Sequence, residues 1–529
     1  MRAMLPLTTA LLLLTGNLAH AQGPQGGRGG PPPVPPVVDT APKPLIPNAR
    51  PARSCESLAM VALPNTTIDS AATDPMAPGV CRVTATTTHP PANDKVKIWI
   101  ALPLNNWNGR FLGTGGGGFL GGSPFGLAQP AGLGYAAGAT DTGHDGGSGS
   151  FALGPNGKLD WQSIRNNAHV GIHEMTVTGK ALTNAFYGMA PRFSYFTGCS
   201  TGGRQGLMEA QRYPQDYNGI VAGAPAINWN RLHPQQLWGP VIMNAAGNPV
   251  AVCKLATATA AAVAACDAID GVKDGVIEDP KRCSYDPKAL VGTTAGDCGT
   301  FSEADATIIR KLWEGPRRED GSFLWYGLAR GADLTALWAS RGTPLKAAAF
   351  PITMEWFRYF LAQDPQLDGS TITPAGYERF WDQSVEQYGA VIGTDSPDLS
   401  AFRARGGKAI LWHGWADQLI TAEGTIDYYG RVQQQMGGAK PTAEFVRLFM
   451  APGVGHCAGG AGPQPTGQLD ALQAWVEDDK APETLKAVRR DQAGAVARSR
   501  PLCAYPLVAK YKGTGSTDDA ASFVCSAAF

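Results

Sequence analysis

The feature that most constrains this chain is a Gly-x-Ser-x-Gly pentapeptide, Gly-Cys-Ser-Thr-Gly at positions 198–202. An apolar and aromatic run ends at the pentapeptide, and a run compatible with a helix, Leu207 to Tyr213, follows it. A strand, a sharp turn and a helix in this order expose the central serine above a sheet, and the helix N-terminus behind it favours negative charge. Ser200 is therefore the candidate nucleophile, with a plain glycine-rich connection as the alternative.

The bulk composition indicates a globular protein without a nucleic-acid partner. The chain has 529 residues, too many for one ordinary core, and 43% of them are apolar. Lysine plus arginine equals aspartate plus glutamate at 44 each, so no basic surface for nucleic acid or an anionic membrane is expected.

The N-terminus has the parts of a secretory signal. Arg2 supplies the charge, Leu5 to Leu18 the apolar segment and Ala19-His-Ala21 a cleavage site, so residues 1–21 are the expected signal peptide. A membrane anchor is the alternative, but the segment is too short to span a bilayer and no later stretch qualifies. The Gly/Pro-rich residues 22–53 should form a tether. Ten cysteines suit disulfides in an oxidising compartment, which predicts a secreted or periplasmic protein.

The alternation of strands and helices divides the rest of the chain. Residues 54–227 and 401–529 alternate in this way and predict two parts of one α/β core, a mostly parallel sheet with helices on both faces. Residues 228–400 interrupt the alternation for far longer than an ordinary connection, which predicts an inserted lid domain. This segment holds seven of the thirteen tryptophans.

A serine nucleophile needs a base and a carboxylate that orients the base. The α/β-hydrolase fold that uses this turn places them in the chain order serine, acid, histidine. Asp417 and His456 each follow a late apolar strand, where parallel sheets place their chemistry. His413 is the rival base, but it ends an apolar strand, where a packed imidazole is expected. Asp427 is not chosen as the acid because it lies in a helix-like run. The other candidate bases precede the serine and so break the expected chain order; they are His144, His169 and His173.

The oxyanion donors should be backbone N–H groups. One is that of Thr201, directly after the nucleophile, and the other should come from the four-glycine loop 115–118. The loop could instead be a flexible turn or a weak phosphate cradle, although it lacks the lysine and hydroxyl residue of a nucleotide loop.

Two cysteines adjoin two of the candidate catalytic residues. Cys199 precedes Ser200 and Cys457 follows His456, 258 positions further along the chain. If bonded, they would fix the distance between the serine and the histidine through covalent geometry.

An acidic loop lies within the predicted insertion. Asp267, Asp270 and Asp274 fall close together among glycines, a set that suits a hard cation such as calcium. A solvated acidic turn explains the same residues. Cys266 and Cys283 flank the loop and are expected to close it.

From Cys55 to Cys525 the chain resembles the tannase/feruloyl esterase family of secreted serine esterases, which also contains a mono(2-hydroxyethyl) terephthalate hydrolase. The resemblance rests on Trp107–Phe111, the four-glycine loop, Ala139–Asp145, Gly198–Arg204, Gly219–Pro225, Cys266–Gly275, His413–Asp417, Pro452–Cys457 and Arg500–Pro506.

The resemblance implies an α/β-hydrolase fold with Ser200, Asp417 and His456 as triad. It also implies oxyanion donors at Gly118 and Thr201, and no organic cofactor. The implied calcium ligands are the carboxylates of Asp267, Asp270 and Asp274 and the carbonyls of Val272 and Val276. The implied disulfides are Cys199–Cys457, Cys266–Cys283, Cys55–Cys81 and Cys503–Cys525, which leaves Cys253 with Cys298, where the chain departs from the family's pattern.

The implied substrates are small esters of aromatic acids, feruloyl (hydroxycinnamoyl) or galloyl esters. The Met354–Gln363 segment looks like that of the tannase and feruloyl esterase branch. A terephthalate hydrolase is the alternative, although Thr201 stands where that enzyme has an acidic residue. A lipase, a peptidase or a binding protein without catalysis could use the same fold. The sequence does not set the oligomeric state.

Overall fold

The computed structural model describes residues 40–338, 340 and 342–527. The expected signal peptide and positions 22–39 of the expected tether lie outside the described residues. The strands are β1 (Thr66–Thr73), β2 (Val80–Thr87), β3 (Val96–Pro103), β4 (Arg110–Thr114), β5 (Ala136–Thr140), β6 (Phe193–Cys199), β7 (Gly219–Gly223), β8 (Lys408–Gly414), β9 (Val446–Ala451), β10 (Gln464–Thr466), β11 (Thr484–Arg490), β12 (Val496–Cys503), β13 (Val508–Tyr511) and β14 (Phe523–Ser526).

Fourteen α-helices accompany these strands in the described part of the chain. They are α1 (Ala128–Gly132), α2 (Trp161–Arg165), α3 (Gly171–Tyr187), α4 (Thr201–Arg212), α5 (Trp229–Ala245), α6 (Val252–Cys266), α7 (Glu303–Glu314), α8 (Thr335–Trp338), α9 (Pro351–Glu355), α10 (Pro374–Ile392), α11 (Ser400–Ala404), α12 (Ala422–Gln435), α13 (Ala439–Ala443) and α14 (Gln468–Asp478). Two π-helical segments, Asn166–Val170 and Trp356–Ala362, precede α3 and follow α9.

A nine-stranded sheet in the order β1-β2-β3-β5-β4-β6-β7-β8-β9 forms the centre of the fold. Strands β4 to β9 pair in parallel, whereas β1, β2 and β3 add an antiparallel edge. All five residues of β7 are buried, because helices cover both faces of the parallel part. The mostly parallel α/β sheet predicted from the sequence is confirmed.

The segment between β7 and β8, residues 224–407, separates two strands that are neighbours in the sheet. All seven of its tryptophans are buried in one hydrophobic cluster, which also includes Phe119 from the sheet side. These rings therefore build the core of the segment. The predicted domain boundaries stay predictions.

By length and composition alone, one stretch of the described chain, Val252–Asp270, would be apolar enough to cross a membrane. An alanine-rich helix inside a folded domain passes the same test, so this finding does not contradict the expectation of no membrane span. Cys253 and Cys266 tie the helix by disulfides to Cys298 and Cys283, so it belongs to the folded segment.

Candidate active site

Ser200 occupies a strained turn between β6 and α4. Its φ of 63° and ψ of −125° lie where residues other than glycine are rarely found. The turn is held by its own backbone, since the N–H of Ser200 donates to the carbonyl of Gly223 and its carbonyl accepts from Ala226, both at 3.0 Å. A Cβ at Gly198 would lie 2.5 Å from the carbonyl carbon of Gly202, which explains the glycine two positions before the serine.

Asp417 and His456 face each other from the loops that follow β8 and β9. Nδ1 of His456 lies 2.8 Å from Oδ2 of Asp417. The other oxygen, Oδ1, accepts from the backbone N–H groups of Leu419 and Ile420 at 2.8 and 2.9 Å. Burial would raise the pKa of Asp417, but the facing His456 and His413 lower it, and the net pKa is well below its ordinary value. Asp417 is thus an ionised acceptor that holds the imidazole in one orientation.

A disulfide joins the serine loop to the histidine loop. Cys199 and Cys457 are bonded, and their Cα atoms are 5.8 Å apart. Because consecutive Cα atoms are about 3.8 Å apart, those of Ser200 and His456 lie within about 13 Å of each other. Gln418 adds a second restraint, since its Oε1 accepts from the backbone N–H of His456 at 3.0 Å. No pattern in the sequence predicts this glutamine.

The glycine loop lies against the N-terminus of α4. The hydroxyl of Thr201 donates to the carbonyl of Gly118 at 2.6 Å, and the N–H of Gly202 donates to Gly116 at 3.0 Å. Oε1 of Gln205 in turn accepts from the N–H of Gly116 at 3.0 Å. Gly118 has a φ of +59°, a conformation that favours glycine. The structure therefore brings the two expected oxyanion positions together, and their role as donors stays a prediction.

The segment Met354–Gln363 and helix α9 before it lie next to the glycine loop. Cδ1 of Ile352 is 3.2 Å from where a Cβ of Gly118 would stand. Glu355 accepts from the backbone N–H of Gly149 at 2.7 Å. Phe360 stacks on Phe119 with 5.6 Å between the ring centroids. Ile352 thus borders the candidate oxyanion site, whereas Phe119 and Phe360 are buried in the core beside it.

One rival histidine contacts the same carboxylate as His456, and the other three lie elsewhere. His413 is fully buried, with Nε2 3.0 Å from Oδ2 of Asp417. His144 stacks on Phe151, and burial lowers its pKa. Burial also lowers the pKa of His169, to about 3, and His173 pairs with Asp216, in the loop that follows α4.

The acidic loop is closed by the Cys266–Cys283 disulfide. Asp267 accepts from the backbone N–H groups of Asp274, Gly275 and Val276, whereas Asp274 pairs with Arg500 at 2.7 Å and Arg498 at 3.2 Å. Burial and then the charges of Asp274 and Asp267 raise the pKa of Asp270 to about 6.

The carboxylates of Asp267, Asp270 and Asp274 repel one another, and a bound cation would reduce this repulsion. Their oxygen atoms are the kind of ligand that calcium prefers. The ligand atoms of Asp267, Asp270 and Asp274 do not all lie within 4.8 Å of one another. In the described residues, only His173, Glu209 and Asp216 form a cluster of metal-ligating side chains that is this tight. The carbonyl ligands expected from Val272 and Val276 stay predictions.

The remaining disulfides are Cys55–Cys81, Cys503–Cys525 and Cys253–Cys298. With the two described above, the structure pairs all ten cysteines: four pairs are those that the resemblance implies, and Cys253–Cys298 is the pair that was left over.

Comparison with known proteins identifies one matching family and several similar proteins. A family described as "Tannase and feruloyl esterase" matches residues 81–526. A "Probable feruloyl esterase" of Arthroderma benhamiae is 40% identical over 88% of this chain and 87% of its own. The mono(2-hydroxyethyl) terephthalate hydrolase of Piscinibacter sakaiensis is 32% identical over 82% of each chain. The crystal structure of feruloyl esterase B from Aspergillus oryzae superposes with a TM-score of 0.78 at 27% identity, over 89% of this chain and 99% of that one.

Proposed function

This chain belongs to the tannase and feruloyl esterase family of α/β-hydrolases and is an esterase of that type, and we propose that it uses a serine triad to cleave esters of aromatic carboxylic acids. Feruloyl and other hydroxycinnamoyl esters are the first candidates, and galloyl esters the second. The family match and the 40% identity to a probable feruloyl esterase support this choice.

The mechanism assigns one role to each residue of the site. The hydroxyl of Ser200 attacks the ester carbonyl while Nε2 of His456 accepts its proton. Asp417 accepts the Nδ1–H of His456 and stabilises the imidazolium. The N–H groups of Thr201 and Gly118 stabilise the oxyanion. His456 then protonates the departing alcohol, and a water that it activates hydrolyses the acyl-enzyme, which releases the acid and restores the hydroxyl of Ser200.

One observation carries the proposal. His456 makes a 2.8 Å contact with buried Asp417, while its neighbour Cys457 is bonded to the neighbour of Ser200. Each of the three residues follows a different parallel strand at the same edge of the sheet. This is the chain order and placement that α/β-hydrolases use for a serine triad.

An apolar side chain next to the glycine loop is accessible to an acyl group. Ile352 is partly exposed and approaches Gly118, whereas the stacked rings of Phe119 and Phe360 are buried in the core beside the loop. An aromatic acid could rest its ring on the Ile352 side chain. A terephthalate half-ester is the alternative substrate, favoured by the 32% identity to the hydrolase of Piscinibacter sakaiensis.

The test is a panel of methyl ferulate, methyl caffeate, methyl gallate, methyl protocatechuate and mono(2-hydroxyethyl) terephthalate, scored by kcat/KM. Ser200→Ala should abolish hydrolysis of every substrate at an unchanged melting temperature. Ser322→Ala, at an exposed turn, is the matched control and should leave kcat unchanged. Turnover retained by Ser200→Ala would disprove the serine mechanism, and the ranking of the five esters decides the acyl group.

Two further parts of the proposal concern the environment of the enzyme. The five disulfides favour an oxidising location, in keeping with secretion or export to the periplasm. The acidic loop would hold a structural calcium ion through Asp267, Asp270 and Asp274, with the carbonyls of Val272 and Val276 completing the ligand set. The ion would stabilise the loop without taking part in the reaction.

A further inference from the structure

Two histidines approach the same carboxylate oxygen in the candidate active site. Oδ2 of Asp417 lies 2.8 Å from Nδ1 of His456 and 3.0 Å from Nε2 of His413. His413 ends β8 and its side chain has no exposed surface, whereas the side chain of His456 keeps 12% of its surface exposed. Only His456 therefore has access to a reacting molecule.

The protons on His413 follow from the chemistry of its neighbours. An ionised carboxylate can only accept hydrogen bonds, so the imidazole nitrogens that face Asp417 must carry protons. Nδ1 of His413 lies 2.8 Å from the hydroxyl of the buried Thr425, which can donate to it. When the Thr425 hydroxyl donates to Nδ1, His413 is the neutral tautomer with its proton on Nε2.

We propose that His413 is a positioning residue, whose Nε2–H anchors Oδ2 of Asp417 so that this carboxylate keeps its orientation towards His456 throughout the reaction. This role rests on the serine-esterase function proposed above.

The geometry explains why a second anchor is useful. Backbone N–H groups of Leu419 and Ile420 hold Oδ1, but His456 changes its charge and hydrogen bonding in each half-reaction. His413 does not touch the reacting atoms and keeps the same partners at every stage. With Oδ1 and Oδ2 both anchored, Asp417 cannot rotate away when His456 moves its proton.

Matched variants separate this role from simple packing. His413→Phe fills the same space without a donor, and His413→Gln restores an N–H at similar reach. Thr425→Val removes only the hydroxyl, and Thr425→Ser keeps it. Because small misplacements of a catalytic group cost up to about 100-fold in rate, we expect kcat to fall about 10- to 100-fold in His413→Phe and Thr425→Val at nearly unchanged KM. The Gln and Ser variants should recover most of the loss.

The pH profile gives a readout that packing alone would not move. The titratable side chains that act on Asp417 are His413 on β8 and His456 after β9. Without the Nε2–H, the charge of Asp417 acts more strongly on His456 and favours its protonated form. The acidic limb of kcat/KM should therefore move to higher pH in His413→Phe and stay in place in His413→Gln.

Rates are expressed per active site, counted by fluorophosphonate labelling of Ser200, so that misfolded protein does not enter kcat. A proton–nitrogen NMR correlation of the imidazoles reads the tautomer without any substrate, with His413→Phe assigning the signal. An Nε2–H signal for His413 that changes in Thr425→Val supports the proposal.

An Nε2 without a proton, or a His413→Phe variant with the kcat and acidic limb of the wild type, overturns the proposal. A wild-type enzyme that neither hydrolyses the panel nor labels at Ser200 would instead overturn the proposed function, and with it the role of His413, while the NMR signal would still report the contact.

Discussion

Removing the Cys199–Cys457 disulfide should reduce both stability and catalysis. The bond closes a loop with a sequence separation of 258, so in the chain-entropy model its loss costs about 5 to 6 kcal/mol of unfolding free energy. The same loss frees the loop of His456 from the loop of Ser200. We expect the double variant Cys199→Ala/Cys457→Ala to lose at least about 100-fold in kcat, because the base is no longer held within reach of the nucleophile.

A second disulfide supplies the control. Cys503–Cys525, between β12 and β14, has a sequence separation of 22, which corresponds to about 3 kcal/mol in the same model. Urea unfolding followed by tryptophan fluorescence and kcat on methyl ferulate are measured for both double variants. Both midpoints should fall, and only the Cys199/Cys457 variant should lose kcat. Equal kcat in both variants would refute the reasoning that this bond sets the catalytic geometry.

Three further predictions concern single carboxylates and the acidic loop. Asp417→Asn should lower kcat by about 1,000- to 10,000-fold, because an amide neither bears the charge nor fixes the imidazole tautomer; a loss below tenfold on methyl ferulate would contradict its role. Burial raises the pKa of Asp141 to about 6, from about 4 in the unfolded chain, so the folded state binds more protons between these values and stability falls as pH rises through this window. Urea midpoints at pH 4 and pH 7 should show this fall in the wild type and less of it in Asp141→Asn; parallel profiles would argue against it. Chelation by EDTA should lower the melting temperature without changing kcat once calcium is restored, and Asp270→Asn should remove the effect; an EDTA response that survives the substitution would place the ion elsewhere.

The parallel part of the sheet was predictable because its strands are apolar. Strands covered on both faces need continuous apolar runs, and the sequences of β7 and β8 contain such runs. Their C-terminal ends meet at one edge, which is why Asp417 could be chosen by position alone. The strained turn at Ser200 was predictable from Gly198 and Gly202 on either side of it.

Other elements left no comparable signal. Strand β1 has no buried residue, since it is the outer edge of the sheet and one of its faces is open, and its threonines and serine do not form an apolar pattern. The short strands β10 to β14 pair in two small sheets of their own, where local sequence says little about pairing.

Side-chain contacts across loops were the hardest to foresee. Gln418 and Gln205 hold the backbone of His456 and of the glycine loop from 38 and 89 positions away. No periodicity encodes such a contact. His413 was rightly expected to be a packed imidazole, but its contact with Asp417 depends on a turn that brings two residues four positions apart face to face.

The tryptophans show the limit of composition as a guide to function. Seven tryptophans are concentrated in residues 228–400, yet each of them is buried in the core of that segment. Phe119 and Phe360, next to the glycine loop, are buried in the same core, so their stacking contributes to packing.

Mass-spectrometric mapping of a fluorophosphonate adduct tests the central claim most directly. Labelling should place one adduct on the peptide that contains Ser200, and hydrolysis of methyl ferulate should fall in proportion to the fraction labelled. Full labelling of Ser200 with undiminished hydrolysis, or complete inhibition with the adduct on another residue, would contradict the assignment of Ser200 as the nucleophile.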